Sequence, residues 1–317
     1  MSEQPKVIIR CCVYNHEPYL RDCIEGFVMQ QTNFPFKAVV HDDCSTDNSA
    51  AIIREYAEKY PHIIEPMYET ENQYSKWDGS LGRIMNAASL NRSPYIAYCE
   101  GDDYWIDPLK LQKQVDFLDN NPDYSMCFSA CKIRKEGTND TTNKGENITD
   151  RDYTATDMFR SWIVPTASIC VRSEICKDER IVKFDKRKLH GDIILILTAA
   201  HYGKVRGMKD KMVVYRVNAT SVTQNKTSQL RSARKCLAHY NFLKEKFPLL
   251  DQELVDFARF ISQIDLARNS NFQKKERILA LLRAFFICPS RTLRILFGFI
   301  KAHKIKAFST IVRRLRK

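Results

Sequence analysis

The chain has 317 residues, 44% of them hydrophobic and 28% charged, a composition that excludes a wholly disordered or fibrous polymer and allows one large core with an appendage. Its net charge of +12 resembles that of a nucleic-acid binder, yet thirteen basic residues against the single acid Glu276 lie between Asn271 and Lys317. Residues 1–270 are therefore electrically balanced, and with no strand- or base-reading module in the sequence no nucleic-acid partner is expected.

The first half alternates short apolar runs with helical patterns. Lys6–Val13 is a β-branched run that predicts a buried strand, and Glu17–Gln30 carries Leu20, Ile24, Phe27 and Val28 at helical spacing. Phe36–Val40 predicts a second strand. Asp47–Tyr60 follows as a helix, with Ser45, Thr46 and Asp47 as candidate caps. Ile63–Tyr68 predicts a third strand, Leu81–Leu90 a helix and Tyr95–Cys99 a fourth strand. A helix over Leu109–Leu118 and a strand over Ser125–Ile133 come next. Lys135–Asp152 is polar and predicts a mobile surface loop. A strand at Ala167–Arg172, a helix at about Asp192–Tyr202 and β character over Lys204–Val217 complete the pattern. After Thr227 the chain reads as wholly helical. The alternation argues an α/β fold with a mostly parallel sheet flanked by helices, in a domain over residues 1–225 followed by a basic helical region over 226–317.

Ligands of such sheets bind outside the carboxyl ends of the strands, and polar residues gather there. Asn15 and His16 follow the first strand, Asp42 and Asp43 the second, and Glu100, Asp102 and Asp103 the fourth. Three carboxylates within four positions, with Gly101 between the first two, suit a hard cation such as Mg²⁺ or Mn²⁺. A charged turn capping its own backbone is the alternative for one such pair. Asp42 and Asp43 beside a helix start can accept from a base N–H or a ribose hydroxyl, whereas Ser45, Thr46 and Asp47 are accounted for by capping alone.

As an ordered set, Val13-Tyr14-Asn15, Asp42-Asp43-Cys44-Ser45-Thr46-Asp47 and Glu100-Gly101-Asp102-Asp103 resemble the family 2 glycosyltransferases, inverting enzymes of the GT-A fold. The resemblance covers roughly residues 6–217. It implies that the first strand end and the Asp-Asp-x-Ser segment hold the nucleobase and ribose. The family's Asp-x-Asp motif stands here as Glu100-Gly101-Asp102, with Asp102 the implied metal ligand and Asp103 a neighbour sharing that role. In Leu189-His190-Gly191-Asp192 an acid opening an apolar helix is by default a cap. The resembled family places an acidic pair there, the second acid serving as catalytic base. Gly191 takes the first place, so the role falls to Asp192, with His190 ranked second. The resemblance also puts an arginine near the diphosphate where Arg216 stands, followed by Asn218 in place of a histidine.

Phosphates want cations, and Lys76 and Arg83 stand between the third and fourth strands, Arg83 at a helix start that can itself hold anions. Solvated surface residues are an equal alternative for both. Trp77, Trp105 and Trp162 are aromatic platforms for sugar faces or core residues.

Eleven cysteines without a paired framework, and an N-terminus without an apolar leader, lead to the expectation of a reducing cytoplasm. Ile278–Ile300 mixes apolar residues with Arg283, Arg291 and Arg294, too interrupted to span a bilayer but suited to an interfacial helix pair. The terminal Arg313-Arg314-Leu315-Arg316-Lys317 would attract anionic lipid; a basic hairpin packed on the catalytic domain is the alternative. The resulting expectation is an inverting glycosyltransferase on the inner face of the membrane. It would move a sugar from a nucleotide-diphosphate donor, UDP the expected carrier, to a glycan or lipid-linked acceptor of a cell-surface polysaccharide such as lipopolysaccharide or capsule. Its rivals are a non-catalytic sugar- or lipid-binding module and a nucleotidyltransferase, the latter disfavoured by Tyr14-Asn15-His16-Glu17-Pro18, which lacks a glycine-rich loop.

Overall fold

A computed structural model describes residues 4–136, 144–218 and 226–292. The chain divides into two compact units, Met1–Asn225 and Lys226–Lys317.

The first unit runs β1 (Val7–Val13), α1 (Glu17–Val28), β2 (Phe36–Asp42), α2 (Ser49–Lys59), β3 (Ile64–Tyr68), α3 (Ser80–Ser89) and β4 (Tyr95–Tyr98). It continues with β5 (Tyr104–Trp105), α4 (Lys110–Asn120), β6 (Tyr124–Glu136), β7 (Arg151–Asp152), α5 (Ala155–Ser161), β8 (Cys170–Arg172), α6 (Glu179–Val182), α7 (Gly191–Tyr202) and β9 (Lys204–Asn218). Strand order is β3-β2-β1-β4-β8-β6-β9-β5, with β7 paired to β9. The first four strands are parallel, β8 runs antiparallel to both β4 and β6, and β5 runs antiparallel to β9. The sheet is thus mostly parallel in its first half and mixed beyond β4.

Both faces of the sheet are covered, which is why its central strands read as largely apolar runs. On one face Leu20, Ile24 and Phe27 of α1, Ile53 of α2 and Leu111, Val115 and Leu118 of α4 pack on Val7, Ile9, Cys11 and Val40. On the other, Leu195, Ile196 and Ala199 of α7 pack on Ile96, Met126 and Phe128, and Met85 of α3 packs on Ile8 and Val39. Helix α7 buries every residue from Ile193 to Ala199, so Asp192 in its first turn is held at a fixed place.

Three sequence expectations change. The N-cap position of α2 is Asn48; of the Ser45-to-Asp47 segment Asp47 accepts from Ser49 N–H at the helix start, while Ser45 and Thr46 tie down another loop. Ala167–Arg172 holds only a three-residue strand after a 3₁₀ turn over Thr166–Ser168. The segment expected to be a mobile loop contains a packed turn: Cys131 N–H donates to the Gly145 carbonyl at 3.0 Å and Ile148 is buried. Residues 137–143 lie outside the described residues.

All eleven cysteines are free thiols. Lys110, completely buried, sits 4.0 Å above the Trp105 ring centroid and donates to Gln114 Oε1 at 2.7 Å. Burial pushes its ammonium down from 10.5 to about 8. Between those values the unfolded chain binds a proton that the folded chain does not, so this group's contribution to stability rises with pH through the window and its cost is complete below it. Lys110→Met is therefore expected to gain more stability over the wild type at pH 7 than near pH 10. Urea denaturation of both proteins at the two pH values checks this, and an equal difference at both removes the assignment.

The second unit contains α8 (Lys226–Lys246), α9 (Gln252–Arg268) and α10 (Lys274–Ile287). Asp251 caps α9 by accepting from the backbone N–H of Glu253 and Leu254. Among the described residues no helix is long and apolar enough to cross a membrane. The basic cluster at 313–317 and residues 293–300 lie outside the described residues.

Candidate active site

Register places Val13 at the end of β1 opposite Asp42 at the end of β2. Two hydrogen bonds extend this pairing past the strands: Asp43 N–H donates to the Val13 carbonyl at 2.9 Å and Gly101 N–H to the Cys12 carbonyl at 3.0 Å. The loops bearing Val13-Tyr14-Asn15, Asp42-Asp43 and Glu100-Gly101-Asp102-Asp103 therefore share one rim, beside β1, where strand order reverses. Gly101 is required by crowding, since a Cβ there would lie 2.7 Å from His16 Nδ1 and 3.0 Å from Val13 Cγ2.

The first two loops are clasped together. Asn15, in the left-handed region at φ 55°, donates its N–H to Ser45 Oγ, and its Oδ1 accepts from Thr46 N–H. Ser49 Oγ accepts from His16 N–H and Asp47 Oδ2 from Glu17 N–H. Glu17 returns the tie by accepting from Asn48. Asp42, buried, accepts from Ser45 N–H through Oδ2, while its Oδ1 is buried without a partner. Asp43 accepts from the backbone N–H of Gln73 at 2.7 Å and of Tyr74 at 2.9 Å, closing the segment after β3 onto the rim. Tyr14 is 46% exposed at the mouth.

Glu100 and Asp102 face a second group of charges. Burial, then the neighbouring Asp102 and Asp192, pushes the Glu100 carboxyl up to about 7. Lys144 lies opposite: burial pulls its ammonium down while Asp192, Glu100 and Asp103 pull it back up. Its Nζ is 5.9 Å from the ring centroids of both Trp162 and Tyr215. Trp162 donates its indole N–H to Asp192 Oδ2 at 3.1 Å and meets His190 edge to face at 4.9 Å. Trp162 holds this pose at φ 44°, a left-handed backbone that is strained for a bulky residue. Burial lowers the His190 imidazole below its ordinary value, against the pull of Asp192, which leaves it neutral at pH 7. Lys144 and Trp162 thus belong to the neighbourhood of Asp192. Sequence reasoning named Trp162 only as one of three tryptophans and missed Lys144, a lysine in a polar stretch with no signal of its own.

Arg216 is buried behind the acidic loop. Its backbone N–H donates to Asp103 Oδ1 at 2.8 Å and its Nη1 to the Asp102 carbonyl at 3.0 Å. Asp22 pairs with the guanidinium, Glu136 Oε1 lies 3.4 Å from Nε, and the Tyr104 ring is 4.4 Å away. This geometry makes Arg216 a strut that shapes the loop from beneath. Arg83, exposed, donates to the Asp78 carbonyl and to Ser80 Oγ. It lines a cleft of about 270 Å³ shared with Tyr74, Trp77, Phe184 and Gly191, so the cleft adjoins both the Asp43 loop and the start of α7. Lys76 reaches Glu71 at 3.3 Å. Trp105 belongs to the core, its indole N–H donating to the Ala167 carbonyl at 2.8 Å.

For a divalent cation the donor set is hard and anionic, and the Glu100 carboxyl is raised chiefly by burial and next by the neighbouring Asp102. Asp102 is partly exposed, whereas Asp103 is buried with one oxygen spent on Arg216. Among the described residues no group of three or more His, Cys, Asp or Glu is arranged to hold a metal. A cation here would have to complete its shell with oxygens from outside these side chains, such as those of phosphate or water.

Comparison with known proteins adds three findings. Residues 8–177 match the model for glycosyl transferase family 2. An uncharacterised protein of Mycobacterium tuberculosis is 32% identical over 209 residues, covering 66% of this chain and 58% of that relative, so the match spans less than two thirds of the relative's length. Among solved structures, Staphylococcus aureus TarS residues 1–349 in complex with UDP-GlcNAc superposes with a TM-score of 0.64 at 16% identity, covering 90% of this chain and 82% of that one. The mannosyltransferase PcManGT of Pyrobaculum calidifontis, in complex with GDP-Man and Mn²⁺, gives 0.51 at 17% identity, with 96% and 87% covered. At such identities these two speak for a shared GT-A fold.

Proposed function

The chain belongs to glycosyl transferase family 2, and from that premise we propose that it transfers a sugar, with inversion, from a UDP-sugar to a hydroxyl of a glycan or lipid-linked acceptor. The observation that carries the proposal is the grouping around Asp192, whose carboxylate opens α7, accepts from Trp162 and faces the charges of Lys144 and Glu100.

Uridine would lie on the clasped rim of Val13, Tyr14, Asn15, Asp42 and Asp43, with the diphosphate toward Glu100, Gly101 and Asp102 and the sugar in the cleft beside Arg83. The acceptor oxygen attacks the anomeric carbon, its proton passes to Asp192, and the bond to the diphosphate breaks with its electron pair leaving on the phosphate oxygen. Asp102 is the residue to hold Mn²⁺ or Mg²⁺, with Asp103 bracing it, and such an ion supplies positive charge to the departing diphosphate. Arg216 acts through the loop it supports. TarS was solved with UDP-GlcNAc and PcManGT with GDP-Man and Mn²⁺, which supports a nucleotide-sugar donor and a divalent ion. An acceptor built on lipid would set the reaction on the inner surface of the cell membrane, in the assembly of a lipopolysaccharide, capsule or similar glycan.

The test is a thermal-shift screen across nucleotide sugars with and without Mn²⁺. One donor with Mn²⁺ is expected to raise the melting temperature, because a ligand bound only by the folded state stabilises it. No shift with any UDP-sugar would remove the donor assignment.

A further inference from the structure

Helix α10 is packed the wrong way round for a helix that only completes a small bundle. The side it turns to the bundle carries Ala280 and Ala284, both buried, with Leu281 and Ile287 partly buried beside them, packed among Leu266, Ala267 and Phe272 and against Phe260 and Ile264. Five further bulky apolar residues point outward. Ile278, Leu279, Leu282, Phe285 and Phe286 are all exposed, Leu282 by 52% and Phe286 by 83%. At 3.6 residues per turn these five positions fall within an arc of roughly 120°, so they form one continuous face.

The charges around that face are positive save for Glu276. Exposed Lys274 and Lys275 stand at its N-terminal end and exposed Arg283 on its flank. The acid of this helix, Glu276, lies on the same flank as Arg283, and its charge is taken up by Arg234 at 2.9 Å. A pair of copies meeting through this face would bring like charges together. An anionic lipid surface takes up both components, the apolar side chains entering the acyl boundary while lysine and arginine stems reach the headgroups.

We propose that α10 is an interfacial helix that lays Ile278, Leu279, Leu282, Phe285 and Phe286 into the surface of an anionic membrane. This gives the membrane side of the proposed function its own anchoring element, and it rests on that reading only for its purpose.

The experiment is sedimentation of the full chain with vesicles of phosphatidylcholine alone or mixed with phosphatidylglycerol, without donor or acceptor. Wild type is expected to pellet with the anionic vesicles and far less with the neutral ones. Leu282→Glu and Phe286→Glu are each expected to weaken that binding at least about tenfold, with melting temperature and response to a UDP-sugar unchanged, since both positions are exposed. Absence of wild-type binding, or variants that bind as well as wild type, would overturn the proposal. So would a fall in melting temperature or the loss of a solution dimer in the variants, which would mean that another part of the chain or a second copy covers the face. A failed donor screen leaves this result standing, and the reverse also holds.

Discussion

Replacing Asp192 by asparagine is expected to lower turnover about 10²–10⁴-fold, the range of a lost general base, while KM for the donor stays within about threefold, as for a group used only in the transition state. The asparagine carbonyl can still accept the Trp162 indole N–H that Asp192 now accepts at 3.1 Å, and the buried run Ile193–Ala199 anchors α7 without it. The melting temperature should therefore be unchanged, which separates lost chemistry from lost structure. His190 is the rival base: neutral and held edge-on to Trp162, it can accept a proton. His190→Gln should nonetheless keep most of the rate. Full activity in Asp192→Asn with loss in His190→Gln would transfer the role to the histidine. Steady-state kinetics of nucleotide release on the three proteins decides between them.

Asp102→Asn is expected to be comparably damaging, about 10²–10³-fold in kcat, as when a group stabilising transition-state charge is removed. It should also weaken the apparent affinity for Mn²⁺. Asp102 is partly exposed on a loop fixed from behind by Arg216, which contacts the Asp102 carbonyl rather than its carboxylate. The backbone therefore survives the change. Asp103→Ala is expected to act differently: Asp103 is buried and accepts from Arg216 N–H, a bond an alanine cannot keep, so its loss shows first in melting temperature. A titration of activity against Mn²⁺ for each variant, beside thermal melts, checks both statements. An Asp102→Asn enzyme with wild-type Mn²⁺ dependence would remove that residue from the metal site.

The sequence made the first half of the fold readable because β1, β2 and β4 are largely apolar runs between amphipathic helices, the pattern of a sheet covered on both faces. Acids at the strand ends were readable for the same reason, since the topology leaves the carboxyl ends open. Short elements were less so: Tyr104–Trp105 was not foreseen, and the strand expected over Ala167–Arg172 shrinks to Cys170–Arg172, each a strand because longer neighbours pair with it. The Ser45–Asp47 segment has the composition of a helix cap, and nothing local says that its side chains reach the loop some thirty residues earlier. Lys144 is recruited by a turn docked on β6 through Cys131 and Gly145, and Trp162 reaches Asp192 across thirty residues. Contacts of this range leave no periodicity to read.

The most direct measurement is anomalous diffraction from Mn²⁺ in crystals of the full chain grown with UDP. The account predicts a peak beside the Asp102 carboxylate, with the diphosphate bridging from it and uracil lying over the Asn15 and Asp43 loops. A nucleotide bound away from that rim, or Mn²⁺ bound with UDP at a site that excludes Asp102, would contradict it.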